Sequence, residues 1–294
     1  MIQQPPIKAL TVCVGYDDFL RLSLPRILPH VSQFLVITSS ADKRTQDLVT
    51  EFSDKVKVYV TDVFYEQGAS FNKGAAIEQG FDALGRDGWF LVMDADIVVP
   101  ARLPQLSLRP GYLYSSARRI LSDVAGLTDV STIDQESLPL RKECSHYGYF
   151  QLFHSSDPLM RRRPWYDVDW MHAGGCDATF RKRWPKHKRI KLPFEVVHLG
   201  DPDRNWFGRV VPRIDNQEQD AEADERAAKL TALHRKYGWC GQAKTGEAVT
   251  ERLAGSNPEV SEPCHDNSEE NKKSPRLRII PQTPQHARRR RPSP

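Results

Sequence analysis

Four short segments bring together side chains that could do chemistry. The first is Trp89-Phe-Leu-Val-Met-Asp94-Ala-Asp96-Ile-Val-Val-Pro100, an apolar run that ends in two carboxylates one residue apart. Hard divalent cations such as Mg²⁺ or Mn²⁺ take oxygen ligands, and a carboxylate at a strand's carboxyl end could meet the metal where a diphosphate lands. Two solvated turn aspartates would look the same, because an Asp-x-Asp pair is common. The second is Phe71-Asn72-Lys73-Gly74 before a helical pattern, which could turn backbone N–H groups and the helix's positive end toward a nucleotide phosphate. Asn72 there also has the make-up of an ordinary helix N-cap. The third is His198 at the end of FEVVH, a candidate metal ligand to pair with a carboxylate. The fourth is His172-Ala-Gly174-Gly175-Cys176-Asp177, a glycine turn that delivers an acid to the start of a short helix, where it can also be a simple cap.

Positioning these groups requires a regular frame. Lys8–Val14 reads as a buried strand, and 17–30 as a largely helical stretch despite Pro25, with Leu20, Leu24, Ile27 and Leu28 on one side. Phe34–Thr38 is a second strand, followed by an amphipathic stretch over Thr45–Phe52. Lys55–Thr61 alternates at period two, Asn72–Leu84 has helical spacing, and Trp89–Met93 is a fourth strand. Strands alternating with helices predict an α/β domain with a mostly parallel central sheet and helices on both faces. Ligands of such sheets bind beyond the carboxyl ends of the strands. Downstream, Tyr112–Ser116, Tyr149–Phe153 and Glu195–His198 read as strands, Asp177–Trp184 as a short helix and Gln217–Tyr237 as a polar, Ala-rich helix.

Composition sets the outer limits. At 294 residues, 39% hydrophobic and 27% charged, the chain is globular in character. Its longest nearly apolar run, 89–100, falls well short of the roughly 20 residues that cross a bilayer. The start, MIQQPPIKAL, has neither a cationic head nor an apolar stretch, so the sequence reads as cytoplasmic. Five scattered cysteines without a Cys-x-x-Cys pair argue against a zinc ribbon and a disulfide scaffold. Residues 241–270 carry two basic and seven acidic side chains, and 271–294 carry eight basic and none acidic, ending in HARRRRPSP. Too little apolar surface exists there to offset ordering entropy. The expected layout is therefore a folded domain over 1–240 and a disordered, basic-ended tail over 241–294.

In this order and spacing, the segments over about 8–210 resemble the glycosyltransferases of GT-A fold, a Rossmann-like α/β architecture, and especially their family-two inverting members. FNKGAAIEQGF followed by WFLVMDADIVVP is also similar to the β-1,4-galactosyltransferases, in which a Phe-Asn-Arg motif precedes a metal-binding aspartate motif. The resemblance implies a nucleotide-sugar half over about 1–110 and an acceptor half over about 111–240. It implies that Phe71, Asn72 and Lys73 contact the nucleotide sugar, that Asp94 lies against ribose or sugar, and that Asp96 with His198 holds Mn²⁺ or Mg²⁺. Family members often present two acids after a glycine turn, the second being the base. Asp177 matches that second acid, following Gly175, while Cys176 replaces the first. Paired acids that hold uracil in many relatives are absent, since this chain has Thr38-Ser39-Ser40, so Asp62 or Asp42 would substitute and a UDP-sugar is the default donor.

Trp206, shortly after the proposed metal histidine, is a candidate flap over the donor. Tyr149, Gln151 and Trp170 are candidates to line an acceptor cleft, with core packing the competing reading for Tyr149. Seven basic residues in the eleven from Arg181 to Lys191, with Arg161–Arg163, flank Asp177 in sequence. They suit an anionic acceptor such as hydroxymethylated DNA or a glycolipid, or else form a solvated basic helix face. Glycans are the third acceptor class. Two rival readings remain open: a nucleotidyltransferase, and a nucleic-acid-binding protein on a degenerate transferase scaffold.

Overall fold

The computed structural model describes residues 5–52, 54–141, 146–202, 204–215 and 223–237. The expected tail over 241–294 lies outside the described residues, as do residues 217–222 of the expected last helix. Its remainder forms a helix at Ala223–Tyr237.

The first half follows the expected alternation closely. Strand β1 (Ile7–Val12) leads into α1 (Asp17–Ile27), β2 (Gln33–Thr38), α2 (Lys43–Thr50), β3 (Val56–Val60), α3 (Lys73–Leu84) and β4 (Trp89–Met93). The four strands pair in parallel in the order β3-β2-β1-β4. Alternate residues explain how helices cover both faces. Ala9, Phe34, Val36 and Leu91 pack with Leu20, Leu24 and Ile27 of α1. Leu10, Leu35, Ile37 and Phe90 pack with Ile77 and Phe81 of α3. Gly80 permits that second contact, because a Cβ there would lie 2.4 Å from Ile37 Cδ1.

The second half is mixed rather than parallel. After β5 (Ile97–Val98) come β6 (Leu113–Leu121), β7 (Leu140–Arg141), β8 (Phe150–His154), α4 (Cys176–Lys182) and β9 (Arg189–Leu199). The full order is β3-β2-β1-β4-β8-β6-β9-β5, with β7 on β6. Strand β8 is antiparallel to both β4 and β6, β6 and β9 are parallel, and the two residues of β5 run antiparallel to the end of β9. The strand expected at Tyr112–Ser116 continues to Leu121, and the one expected at Glu195–His198 begins at Arg189. Charged residues interrupt both extensions, at Arg118 and Arg119 and at Arg189 and Lys191, so neither reads as a continuous apolar run. The basic run from Arg181 to Lys191 is accordingly not one helix face. It spans the end of α4, a 3₁₀ turn at Lys186–Lys188 and the start of β9. Among the described residues, no helix is long and apolar enough to cross a membrane.

One buried ion pair ties α3 to the chain that later reaches the site. Glu78, 8% exposed, accepts hydrogen bonds from the backbone N–H groups of Trp165 and Tyr166, each at 2.8 Å, and pairs with Arg86 at 2.9 Å. The Arg86 guanidinium in turn lies 4.9 Å from the centre of the Trp165 ring. Removing one partner strands a buried charge and two donors, so Glu78→Ala should lose about 3–5 kcal/mol in urea unfolding. A loss below about 1 kcal/mol would show that the pair is not a structural tie.

Candidate active site

Strand β4 ends at Met93, and the chain turns through Asp94-Ala95-Asp96 before β5. Backbone bonds hold both sides of this turn: Asp94 N–H donates to Tyr149 O at 3.2 Å, and Leu199 N–H donates to Asp96 O at 2.9 Å. With Ile97 opposite His198 in the β5–β9 ladder, the second bond puts the Asp96 and His198 side chains together. His198 Nδ1 donates to Gly200 O at 3.1 Å, which leaves Nε2 as a lone-pair nitrogen. It faces Asp96 Oδ2 at 3.8 Å, too far for a hydrogen bond. The other oxygen, Asp96 Oδ1, is buried and has no partner. Two electron-pair donors facing each other across that gap, one carboxylate oxygen being orphaned, suit a shared hard or borderline cation. Among the described residues no group of three metal-binding side chains occurs, so protein would supply two ligands and leave further positions to substrate oxygens and water.

The charges around the turn are lopsided. Lys73 Nζ is paired with Asp94 Oδ1. Burial disfavours the lysine charge, but Asp94, Cys176 and Asp177 outweigh it and hold its pKa above the ordinary value. Burial pushes the Asp94 carboxyl up despite Lys73, and Asp96 and Asp177 add to that rise. Three carboxylates thus act on one another with a single lysine among them, which again favours a cation at this place.

Asp177 sits in the first turn of α4. Its Oδ2 accepts from Gly148 N–H at 2.6 Å, and position 148 must be glycine because a Cβ would lie 2.7 Å from the Asp177 Cβ. The turn before it is equally constrained. Gly175 has φ +117° and lies against Trp170, whose ring would be 2.5 Å from an added Cβ, while Gly174 is pressed beneath Trp206. Trp206 also stacks on His172 with planes 9° apart and centroids 6.1 Å apart.

Several expected contacts prove to be supports. Asn72 caps α3 through Oδ1, which accepts from Ala75 N–H at 2.9 Å, and its amide donates to Val168 O at 2.7 Å. A Cβ on Gly74 would meet Asp167 O at 2.0 Å. The start of α3 is therefore covered by 167–168 rather than turned to a phosphate, and the Asn72 side chain is spent. Tyr149 and Gln151 are buried behind the site rather than along a cleft. Tyr149 Oη donates to Ser116 O at 2.6 Å, and Gln151 Nε2 donates to the carbonyls of His146 and Asp177. Asp62 at the end of β3 accepts from Ser40 N–H at 2.9 Å, and Asp42 is taken up by Gly15 N–H, Thr38 Oγ1 and Thr45 N–H.

A cavity of 260 Å³ opens beyond the carboxyl end of β1, lined by Gly15, Arg44, Tyr65, Phe71, Arg209 and Arg226 among others. Of these, only Phe71 is among the donor contacts expected from sequence. Arg209 is bound to Asp18, to Gly15 O at 2.6 Å and to Pro212 O at 2.7 Å, so it clasps the segment after β9 onto α1. Tyr16, which the sequence did not single out, lies beneath the Arg209 guanidinium. Its buried hydroxyl has no partner, and burial followed by the charge of Asp96 raises its pKa. The tyrosine thus lies against a cavity-lining arginine and within the field of the aspartate turn.

No family model matches the chain, and no curated protein matches it in sequence. Among solved structures, it is similar to glucosyl-3-phosphoglycerate synthase from Mycobacterium tuberculosis in complex with phosphoglyceric acid, at 14% identity over 85% of both chains, with a TM-score of 0.43. LgtC, in the form of an active-site mutant, overlaps at 9% identity over 77% of this chain and 95% of that one, with a TM-score of 0.39. The inositol-1-phosphate CTP transferase from T. maritima overlaps at 10% identity over 78% and 98%, with a TM-score of 0.37. Overlaps of that size carry nothing about this chain's chemistry.

Burial lowers the pKa of His154 and of His172. Each therefore binds its proton more readily in the unfolded chain, so its contribution is complete above about pH 6.5 and is lost as pH falls from there through the lowered folded value. Unfolding midpoints should drop between about pH 7.5 and about pH 5.5, and drop less in the His154→Gln/His172→Gln variant, which cannot titrate there. An equal drop in both proteins would refute the assignment.

Proposed function

We propose that the chain is a metal-dependent glycosyltransferase that moves a sugar from a nucleotide sugar, by default UDP-linked, to an acceptor hydroxyl with inversion. One observation carries the reading: Asp96 Oδ2 faces His198 Nε2 at 3.8 Å while Asp96 Oδ1 is buried without a partner, at the carboxyl edge of the parallel strands where a cavity also opens. Asp96 and His198 would hold Mn²⁺ or Mg²⁺, which would neutralise charge building on the leaving diphosphate. The nucleotide would occupy the cavity, with Tyr65 and Phe71 as aromatic surfaces for the base or ribose and the arginine edge supplying positive potential.

Asp177 would act as the base. Two observations support this role: its Oδ2 accepts from Gly148 N–H, and its charge raises the pKa of both Lys73 and Asp94. Accepting the proton of the acceptor hydroxyl would make that oxygen a better nucleophile as the diphosphate departs, giving a single displacement. Lys73, held by Asp94, would keep the base and the metal carboxylates from collecting one another's protons.

The acceptor reading gains from the basic segments, though fewer of their side chains are available than the sequence suggests. Arg183 donates to the carbonyls of Leu159, Arg162 and Pro164, and Arg189 to Trp184 O, so both are structural. Lys182, Lys186 and Lys191 are exposed, as are Arg161 and Arg162. Hydrogen bonds link the start of β9 to the base: Ile190 O bonds buried His146, whose carbonyl is held by the same Gln151 amide that holds Asp177 O. A phosphate-rich acceptor, such as hydroxymethylated DNA or an anionic glycolipid, suits that edge better than a neutral glycan.

Release of nucleoside diphosphate from UDP-, GDP- and ADP-sugars with Mn²⁺, with and without hydroxymethylated DNA, tests the reading. Asp177→Asn keeps an acceptor for Gly148 N–H but removes the base, and should cut transfer about 10²–10⁴-fold. Asp96→Asn should raise the Mn²⁺ needed for half-activity at least about tenfold. Turnover unchanged in both variants, or no turnover with any donor, would sink the proposal.

A further inference from the structure

His172 has no role in the reaction described above, yet its surroundings resemble a built site more than a packed core. The imidazole sits among three aromatic rings, with centroids 5.5 Å from Trp170, 6.1 Å from Trp206 and 5.3 Å from Phe207. Its Nδ1 accepts a hydrogen bond from Gly174 N–H at 3.1 Å. A ring nitrogen that accepts carries no proton, so the neutral ring holds its proton on Nε2. No protein group among the described residues accepts from that Nε2–H. Burial lowers the imidazole's pKa and no charged neighbour contributes, so the neutral form is the working one near pH 7.

The ring's position says what Nε2–H is for. Three segments meet at its part of the chain, two leading to the cavity wall and one to Asp177. Met171 O accepts from the N–H groups of Ser70 and Phe71, and Phe71 lines the cavity. Ala173 N–H donates to Trp206 O at 2.8 Å, and Phe207 is followed by Gly208, which lines the same cavity. Gly174 and Gly175 lead directly to Asp177. The histidine's chain neighbours are thus bonded to Phe71 at the cavity wall and to Trp206, two residues before cavity-lining Gly208, and run on to Asp177.

We propose that His172 is a donor-binding residue whose Nε2–H donates to an oxygen of the bound nucleotide sugar, either on the diphosphate or on the sugar. The inference rests on the nucleotide-sugar reading of the cavity. The aromatic ring of neighbours fixes the imidazole plane, and the Gly174 bond fixes its tautomer, so the donor is aimed before the ligand arrives.

Three substitutions separate this role from a merely structural one. Asn at 172 can keep an acceptor near the Nδ1 position for Gly174 N–H but has nothing at Nε2. Gln can place an amide N–H near the Nε2 position. Phe keeps the ring stacking and neither nitrogen. Binding of UDP and of UDP-glucose with Mn²⁺, read by quenching of tryptophan fluorescence on the full chain, should weaken about tenfold or more in His172→Asn and His172→Phe, and stay within about threefold of wild type in His172→Gln. Weakening for both ligands assigns the bond to the diphosphate, and weakening for UDP-glucose alone assigns it to the sugar. Wild-type affinity in His172→Asn, or Gln as weak as Phe, would overturn the proposal. A wild-type chain that binds neither UDP nor UDP-glucose would overturn the UDP-sugar reading with it, a failure separate from wild-type binding that all three variants share.

Discussion

Everything at this site depends on crowding three carboxylates, none of them exposed, at one sheet edge. Asp94, Asp96 and Asp177 meet where water is scarce, and such groups stay charged only if something positive answers them. Lys73 answers one, through Asp94. Asp177 is relieved by the backbone N–H of Gly148. Asp96 is left facing the lone pair of His198 with one oxygen unpartnered. That imbalance is the natural condition of a place completed by a cation, and the backbone enforces it: the Leu199–Asp96 bond and the β5–β9 pairing prevent His198 and Asp96 from turning apart.

The fold supplies that enforcement through its irregular half. Four parallel strands carry Asp94 and Asp96 to the carboxyl edge, as in any open α/β sheet. His198 arrives on β9, which runs in the same direction as β4 because antiparallel β8 separates β4 from β6 and β6 pairs in parallel with β9, with a shift in register between Ser115 and Ala117. Antiparallel β8 lies between the two systems and carries Gln151, whose amide holds the His146 and Asp177 carbonyls. One buried glutamine thus ties the backbone at Asp177 to the strand beside the aspartate turn. This is why a residue suited by type to binding a sugar is instead found beneath the site.

Legibility from sequence follows the same division. Strands β1, β2 and β4 are buried on both faces and appear as apolar runs, while edge strand β3 alternates at period two, so the succession of strands and helices could be read. Asp94, Asp96 and His198 were legible because each ends such a run. The ends of β6 and β9 were not, because Arg118, Arg119, Arg189 and Lys191 interrupt their apolar residues in strands held there by backbone pairing. Nor was the cavity, whose wall is assembled from Gly15, Arg44, Tyr65 and Arg209, four positions with no shared pattern. Asn72 shows the opposite failure: its segment stands out for chemistry, while the side chain satisfies a local backbone need that any helix start has.

The segment after β9 shows how far a charge pair can substitute for regular structure. Residues 204–215 contain no helix or strand of their own, yet they carry Trp206, Gly208 and Arg209 into the site. Asp17 and Asp18, the first two residues of α1, hold Arg213 and Arg209 respectively, and the Asp18 carboxylate also accepts from Ile214 N–H at 2.8 Å. Because α1 is itself fixed by Leu20, Leu24 and Ile27 in the core, the two acids transmit the sheet's rigidity to an otherwise unsupported stretch. Arg209 lies over Tyr16, and the charge of Asp96 acts on Tyr16, so the clasp that anchors the segment also stands beside the aspartate turn. A cation bound at Asp96 and a nucleotide in the cavity would therefore be coupled through one tyrosine and one arginine. Order in this segment is set by charges that the helix start already had to place there, since acids in a helix's first turn are favoured by its dipole.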